Sequence, residues 1–258
     1  MDRTTNEHRT LDIFAYQHVN GLDCPNKVCP TVALLIECKR AELPYVFFQS
    51  AVPKLPLDFP KITGLNRADI YIRDPKRSQD IPVSVALELA PHPFCTKPPI
   101  CTTFSKAHRK GHDLNLSGTD VFNSVVLPLI SAFEHLHASS EAGGGDIQFW
   151  AALSLSICVI DAPMVLVEGP PEALTLTLHP WVRLTRRETV EKNGRRYPQH
   201  YVIDVVQRGF FDTYISKELA QFADFYADQV NQYQKVLAQC RATVPNLDSW
   251  RSSELSPG

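Results

Sequence analysis

The chain has 258 residues, 44% of them hydrophobic, with a formal charge of −2. That is enough sequence for one large domain or two small ones around a sizeable core, and a net charge so close to zero excludes a uniformly basic surface, so any nucleic-acid contact must be local. There are only 11 glycines, with no glycine-rich phosphate loop and no dinucleotide fingerprint, which sets aside kinase, ATPase and dehydrogenase chemistry.

No apolar run reaches the roughly 18 residues of a membrane span, and Met1-Asp2-Arg3-Thr4-Thr5 lacks a signal-peptide stretch. The seven cysteines are spread along the chain, as expected of reduced thiols rather than of a disulfide scaffold. The expectation is a single cytoplasmic α/β domain over residues 1–258, with a disordered tail from about residue 252.

In chain order, Leu11 to Tyr16 reads as a buried strand interrupted by the acidic Asp12. Gln17 to Pro30 is turn-rich, and a second apolar run, Val32 to Ile36, ends in Glu37-Cys38-Lys39. Side chains two apart on a strand share a face, so Glu37 and Lys39 point to one place and Cys38 points away as a small core residue. Antiparallel pairing of the two runs as a long-looped hairpin brings Asp12 near Glu37. Two such carboxylates can hold Mg²⁺ with waters completing an octahedron, while the adjacent lysine orients water or offsets charge building on a phosphate. The plainer alternative is a cross-strand ion pair worth under about 1 kcal/mol.

Pro44 to Phe48 is a short apolar run, and Pro53 to Pro60 is an irregular, proline-bearing loop. Ala68 to Ile72 and Val83 to Leu89 read as a hairpin across the charged turn Arg73 to Asp80, closed off by the proline-rich Pro91 to Pro99. From Thr119 to His137, Phe122, Val125, Val126, Leu129, Ile130, Phe133 and Leu136 follow helical spacing, capped by Ser117 or Thr119. Pro128 must kink that helix or open a second one. After a loop at Ala142 to Asp146 come strands at Leu153 to Ile160, Met164 to Val167, Leu174 to Leu178, Trp181 to Thr185 and Tyr201 to Val206. A helical stripe from Leu219 to Leu237 reads as core packing, and Asp161 and Asp204 as strand-end or cross-strand polar groups.

Two basic clusters are candidate nucleic-acid contacts: a loop carrying Lys106, Arg109 and Lys110, and a strand face carrying Trp181, Arg183, Thr185 and Arg187 before the Asn193-Gly194 turn. For each, a solvated surface is the plain alternative. The gap between Cys24 and Cys29 fits structural zinc at its upper limit and that between Cys95 and Cys101 exceeds it, and both pairs read as loop cysteines of no special role.

Asp12, the spacer and Glu37-Cys38-Lys39 together resemble the motif of the PD-(D/E)xK, restriction-endonuclease-like nuclease superfamily, with the later helix and strands in a compatible order. The resemblance implies a mixed sheet flanked by helices and a Mg²⁺- or Mn²⁺-dependent nuclease acting on nucleic acid, DNA being the expected substrate. It also implies Asp12 and Glu37 as metal ligands, Lys39 as catalytic lysine, and a homodimer or larger assembly if duplexes are cut. Leu11 stands where the family name has proline, and Glu7 is the residue that would replace the acid many members carry on an upstream helix. An inactive nuclease-like fold, kept as a nucleic-acid-binding or protein-interaction module, is the alternative.

Overall fold

The computed structural model describes residues 11–21, 26–51, 54–65, 69–73, 78–139, 149–192 and 195–239. In chain order the strands β1 (Ile13–His18), β2 (Val28–Arg40), β3 (Tyr45–Gln49), β4 (Lys61–Thr63), β5 (Asp69–Arg73) and β6 (Ser78–Pro82) come first. The short helices α1 (Val83–Ala86) and α2 (Pro93–Thr96) lead to β7 (Ile100–Lys110) and β8 (Asp113–Ser117). Next, α3 (Thr119–Val121) runs through a π-helical stretch (Phe122–Val126) into α4 (Leu127–Ser139). Then follow β9 (Phe149–Asp161), β10 (Met164–Glu168), β11 (Thr175–Leu178), β12 (Trp181–Lys192) and β13 (Arg195–Gln207). A 3₁₀ turn (Arg208–Phe210), α5 (Phe211–Thr213), a second π stretch (Tyr214–Leu219), α6 (Ala220–Gln232) and α7 (Gln234–Gln239) complete the chain. Among the described residues no helix is long and apolar enough to cross a membrane.

Eleven strands form one mixed sheet in the order β1-β2-β9-β13-β12-β7-β3-β10-β11, with β4 added to β9 and β8 to β7, while β5 and β6 form a separate hairpin. The long apolar run of β2 suits a position between two strands: it pairs antiparallel with β1 and parallel with β9 from Val28↔Phe149 to Arg40↔Asp161. Alternation then sorts its side chains. Val28, Val32 and Ile36 face one core with Phe222, Tyr226 and Val230 of α6, while Leu35 faces a second core with Leu129 and Phe133 of α4. The fold is thus mixed α/β with helices on both faces of the sheet. β1 is not the buried strand expected: it lies at the sheet edge with one strand partner among the described residues, and its Ile13, Phe14 and Tyr16 are exposed.

Two short connections bend this sheet. Only Ala162 and Pro163 separate β9 from β10, and only residues 41–44 separate β2 from β3, yet four strands lie between the members of each pair in the sheet order. The sheet must curl until the ends of β2 and β9 meet the starts of β3 and β10, the way strands turn the corner of an orthogonally packed barrel. Ala41 N–H donates to Asp161 O and Tyr45 N–H to Pro163 O at that corner.

The helical pattern at 119–137 is present, and the π stretch lies immediately before Pro128. Widening the turn there fits a proline ring that would clash with the carbonyl four residues back in a regular helix. Three other expectations are corrected. Val83 to Leu89 is no strand: β5 pairs with β6, and α1 with its C-cap residue buries Val83, Ala86 and Leu87 at helical spacing. Lys106, Arg109 and Lys110 lie on the β7–β8 hairpin rather than in a loop, with Gly111 at positive φ in its turn. Arg183 is not on a solvent-facing strand surface at all, being 0% exposed.

A guanidinium so buried needs every donor answered. Arg183 Nε and Nη2 donate to Asp204 Oδ1 and Oδ2 at 2.6 and 2.9 Å, and Nη1 donates to Phe94 O and Cys95 O, each at 3.0 Å. Its Cζ sits 4.7 Å from the Phe59 ring centre and 5.0 Å from that of Phe94. Tyr214 completes the network, its hydroxyl donating to Asp204 Oδ2 at 2.8 Å. Loss of water works against the charge on Arg183, but the Asp204 carboxylate outweighs it and the arginine pKa is raised. Cys24, Glu7 and the tail fall outside the described residues; Cys95 and Cys101 are buried in opposite cores, so they form no zinc pair.

Arg183→Ala is expected to cost about 3–5 kcal/mol in urea unfolding, because it strands a buried carboxylate, whereas Arg183→Met with Asp204→Leu recovers most of that loss. A single-variant loss under about 1 kcal/mol would contradict the network's role. Tyr214 and Tyr226, fully buried, have pKa values raised by desolvation. The protonated forms are favoured in the folded state, so their stabilisation is complete below the ordinary tyrosine pKa of about 10 and is lost as pH climbs above it. Absorbance near 295 nm should show these two tyrosines ionising only together with unfolding.

Candidate active site at the end of β2

The register Ile13↔Ile36 places Asp12, just before β1, across from Glu37. Its Oδ2 accepts a hydrogen bond from Cys38 N–H at 2.8 Å, which ties the carboxylate to the end of β2. Glu37 and Lys39 share the face that looks toward α4, and Lys39 Nζ is paired with Glu37 Oε1. The three residues expected to form a site are therefore brought together. Glu37 is only 4% exposed and lies beside Cys158 of β9, whereas Asp12 is exposed and Lys39 partly so.

The second oxygen of Glu37, Oε2, is out of contact with solvent and has no hydrogen-bond partner among the described residues. Buried polar atoms are seldom left this way, since an unmet acceptor costs about 1–3 kcal/mol. Lys39 answers one carboxylate oxygen and leaves the other facing a gap in the bonding pattern. A divalent cation fits that donor set: Mg²⁺ is commonly held by one or two carboxylates with water filling the remaining positions, and Glu37 and Asp12 supply two. Among the described residues no group of three or more His, Cys, Asp or Glu side chains is placed to hold a metal.

Cys38 departs from expectation. It is exposed rather than a core residue. Its thiol pKa is raised first by partial burial and then by the Asp12 and Glu37 carboxylates, with Lys39 opposing.

The hairpin carrying the first basic cluster reaches the corner near this site. Ala107 N–H donates to Pro44 O and Lys106 pairs with Tyr45, with its ammonium 6.0 Å from the Tyr45 ring centre; Arg109 and Lys110 are exposed beyond it. Arg187 is exposed on the β12–β13 ribbon, opposite His200.

Sequence reasoning missed an open crevice lined by Arg40, Glu42, Asp161, Met164, His179 and Gln207 among others. It opens where β2, β9 and β13 end, one residue beyond Lys39. Arg40 adjoins the motif in sequence, but nothing local signals that residues 161, 179 and 207 join it. A smaller cleft by α4 is lined by Lys61, Ser154, Ser156 and Tyr201, and burial lowers the Lys61 pKa.

No family model, no curated protein and no solved structure matches this chain.

Alkylation of the native protein, mapped by mass spectrometry, should modify Cys38 while Cys29, Cys95, Cys101 and Cys158 react only after unfolding. Burial pushes the Cys95 and Cys101 thiols up to about 12, which reinforces their inertness. Native labelling of Cys95 would contradict this arrangement.

Proposed function

We propose that this protein is a metal-dependent nuclease of PD-(D/E)xK type that hydrolyses phosphodiester bonds in nucleic acid, DNA being the expected substrate. The observation that carries the reading is the buried Glu37 carboxylate, one oxygen on Lys39 and the other unanswered, facing Asp12 across the β1–β2 pair. A buried acid kept for stability alone would be expected to have its second oxygen bonded.

Asp12 and Glu37 hold the metal in this reading. When bound, a divalent ion polarises a phosphoryl oxygen and makes water a better nucleophile at neutral pH. Lys39, partly exposed and tethered to Glu37, positions the attacking water and offsets charge developing on the phosphate. The antiparallel β1–β2 hairpin, the parallel strand β9 beside it and the helix α4 over the same face support a restriction-endonuclease-like core.

Two observations favour the inactive-module reading: Asp12 Oδ2 is already engaged by Cys38 N–H, and no third acid joins the site among the described residues. Calorimetric titration of Mn²⁺ or Mg²⁺ into the wild type and Glu37→Ala separates the two. The expected outcome is binding that Glu37→Ala abolishes, together with cleavage of labelled DNA or RNA that falls by at least about 100-fold in Glu37→Ala and in Lys39→Met, more than removal of a group that merely supports a metal ligand would cost. Absence of metal binding at millimolar concentration, with neither nucleic acid cut, would decide for the module.

A further inference from the structure

Just before β12 the chain reads Leu174-Thr175-Leu176-Thr177-Leu178, a segment identical to its own reverse. Thr175 to Leu178 form β11, which ends the sheet order with β10 as its strand partner among the described residues. His179 N–H donates to Met164 O at 3.0 Å, and antiparallel bonding alternates from that pair. Thr177 and Thr175 therefore turn their backbone groups toward β10, whereas Leu176 and Leu178 turn N–H and C=O outward at the open edge. Such edges are ordinarily blunted by lysine, proline or a bulge. Residues 173–178 carry no charge and no proline, and the β10–β11 register runs without a shift.

Side chains sort by face in the same way. On one face Thr177 Oγ1 donates to Glu168 Oε2 at 3.2 Å. On the other, Leu174, Leu176 and Leu178 are 55%, 69% and 75% exposed, with Val167 and Val165 of β10 beside Leu176 and Leu178. A twofold axis through Leu176 makes this strand its own complement. It sets Leu176 against its counterpart and Leu174 against Leu178 of the second copy, so outward N–H and C=O groups meet in matched pairs and the leucines of both copies share one face. It also lays the exposed Glu172 of one copy across from Pro180 of the other, next to His179, so that acid meets imidazole rather than another acid. At the opposite end of the sheet, β1 reads Ile13-Phe14-Ala15-Tyr16-Gln17-His18, which is not its own reverse and offers no such match. We infer that β11 is a self-association edge, through which two copies of this chain join antiparallel into one continuous sheet. The surface lies apart from the carboxylates of β2 and does not depend on the nuclease reading.

Sedimentation velocity of the full chain over concentrations reaching about 100 μM is the first test, because a short interface associates weakly. A dimer is expected. Leu176→Lys sets two ammoniums face to face at the axis and should weaken it at least about tenfold, with the circular dichroism of the monomer unchanged. Register is read by cross-linking. Under mild oxidation Leu176→Cys should form a symmetric disulfide between copies, since directly opposed Cα atoms lie about 5.5 Å apart. Leu178→Cys should not, because its two copies lie four residues, roughly 14 Å, apart along the strands. Peptide mapping separates these links from any through Cys38, an exposed native thiol. A wild-type monomer throughout that range, a dimer indifferent to Leu176→Lys, or equal cross-linking at 176 and 178 would overturn the inference. So would flotation of a monomer with phosphatidylcholine vesicles that Leu176→Lys abolishes, which would assign the leucines to a lipid surface.

Discussion

The charge of Arg183, held with no access to water, is the constraint from which much of the architecture follows. A buried guanidinium persists only if a carboxylate, carbonyl oxygens and ring faces surround it, and here they come from β13, from α2, from the segment around Phe59 and from the π stretch at Tyr214. Elements distant in sequence are thereby locked to one point on β12. That lock holds β13 in place, β13 pairs with β9, and β9 pairs with β2 along its full length. The end of β2, where Glu37 sits, inherits its rigidity from this chain of pairings.

Buried charges on opposite faces of the same sheet, Arg183 with Asp204 on one and Glu37 on the other, make an instructive contrast. Arg183 and Asp204 satisfy each other and their surroundings, which is the pattern of a structural pair. Glu37 does not: one oxygen is paired and the other is not. Burial is common to both, but the state of the lone pairs differs, and an acceptor left open in a dry place is a standing demand for a cation or a proton.

The β1–β2 hairpin and the meeting of Asp12, Glu37 and Lys39 were legible in the sequence because they are local: two apolar runs, a turn-rich spacer and a period of two suffice. The coarse α/β class and the two helical stripes were legible for the same reason. Arg183 was not, since a basic residue alternating with an aromatic looks like a wet strand face until Asp204 is known to stand opposite on the neighbouring strand. The segment Val83 to Leu89 was misread because a short apolar run does not declare its period, and the hairpin of Lys106 to Lys110 because charge and glycine resemble loop chemistry. The crevice was out of reach altogether, as its walls are the ends of strands that only the sheet order makes neighbours.

Asp12 and Glu37 differ in how firmly they are owned by the fold. Glu37 lies inside a strand paired on both sides, whereas Asp12 precedes an edge strand that has β2 as its sheet partner and whose large apolar side chains are about half exposed. Edge strands of this kind open at a fraction of the global unfolding free energy. The site is thus made of one fixed carboxylate and one detachable one. Any ion shared between them acts as a clasp on β1, and the fraying of that strand sets how often the clasp comes undone.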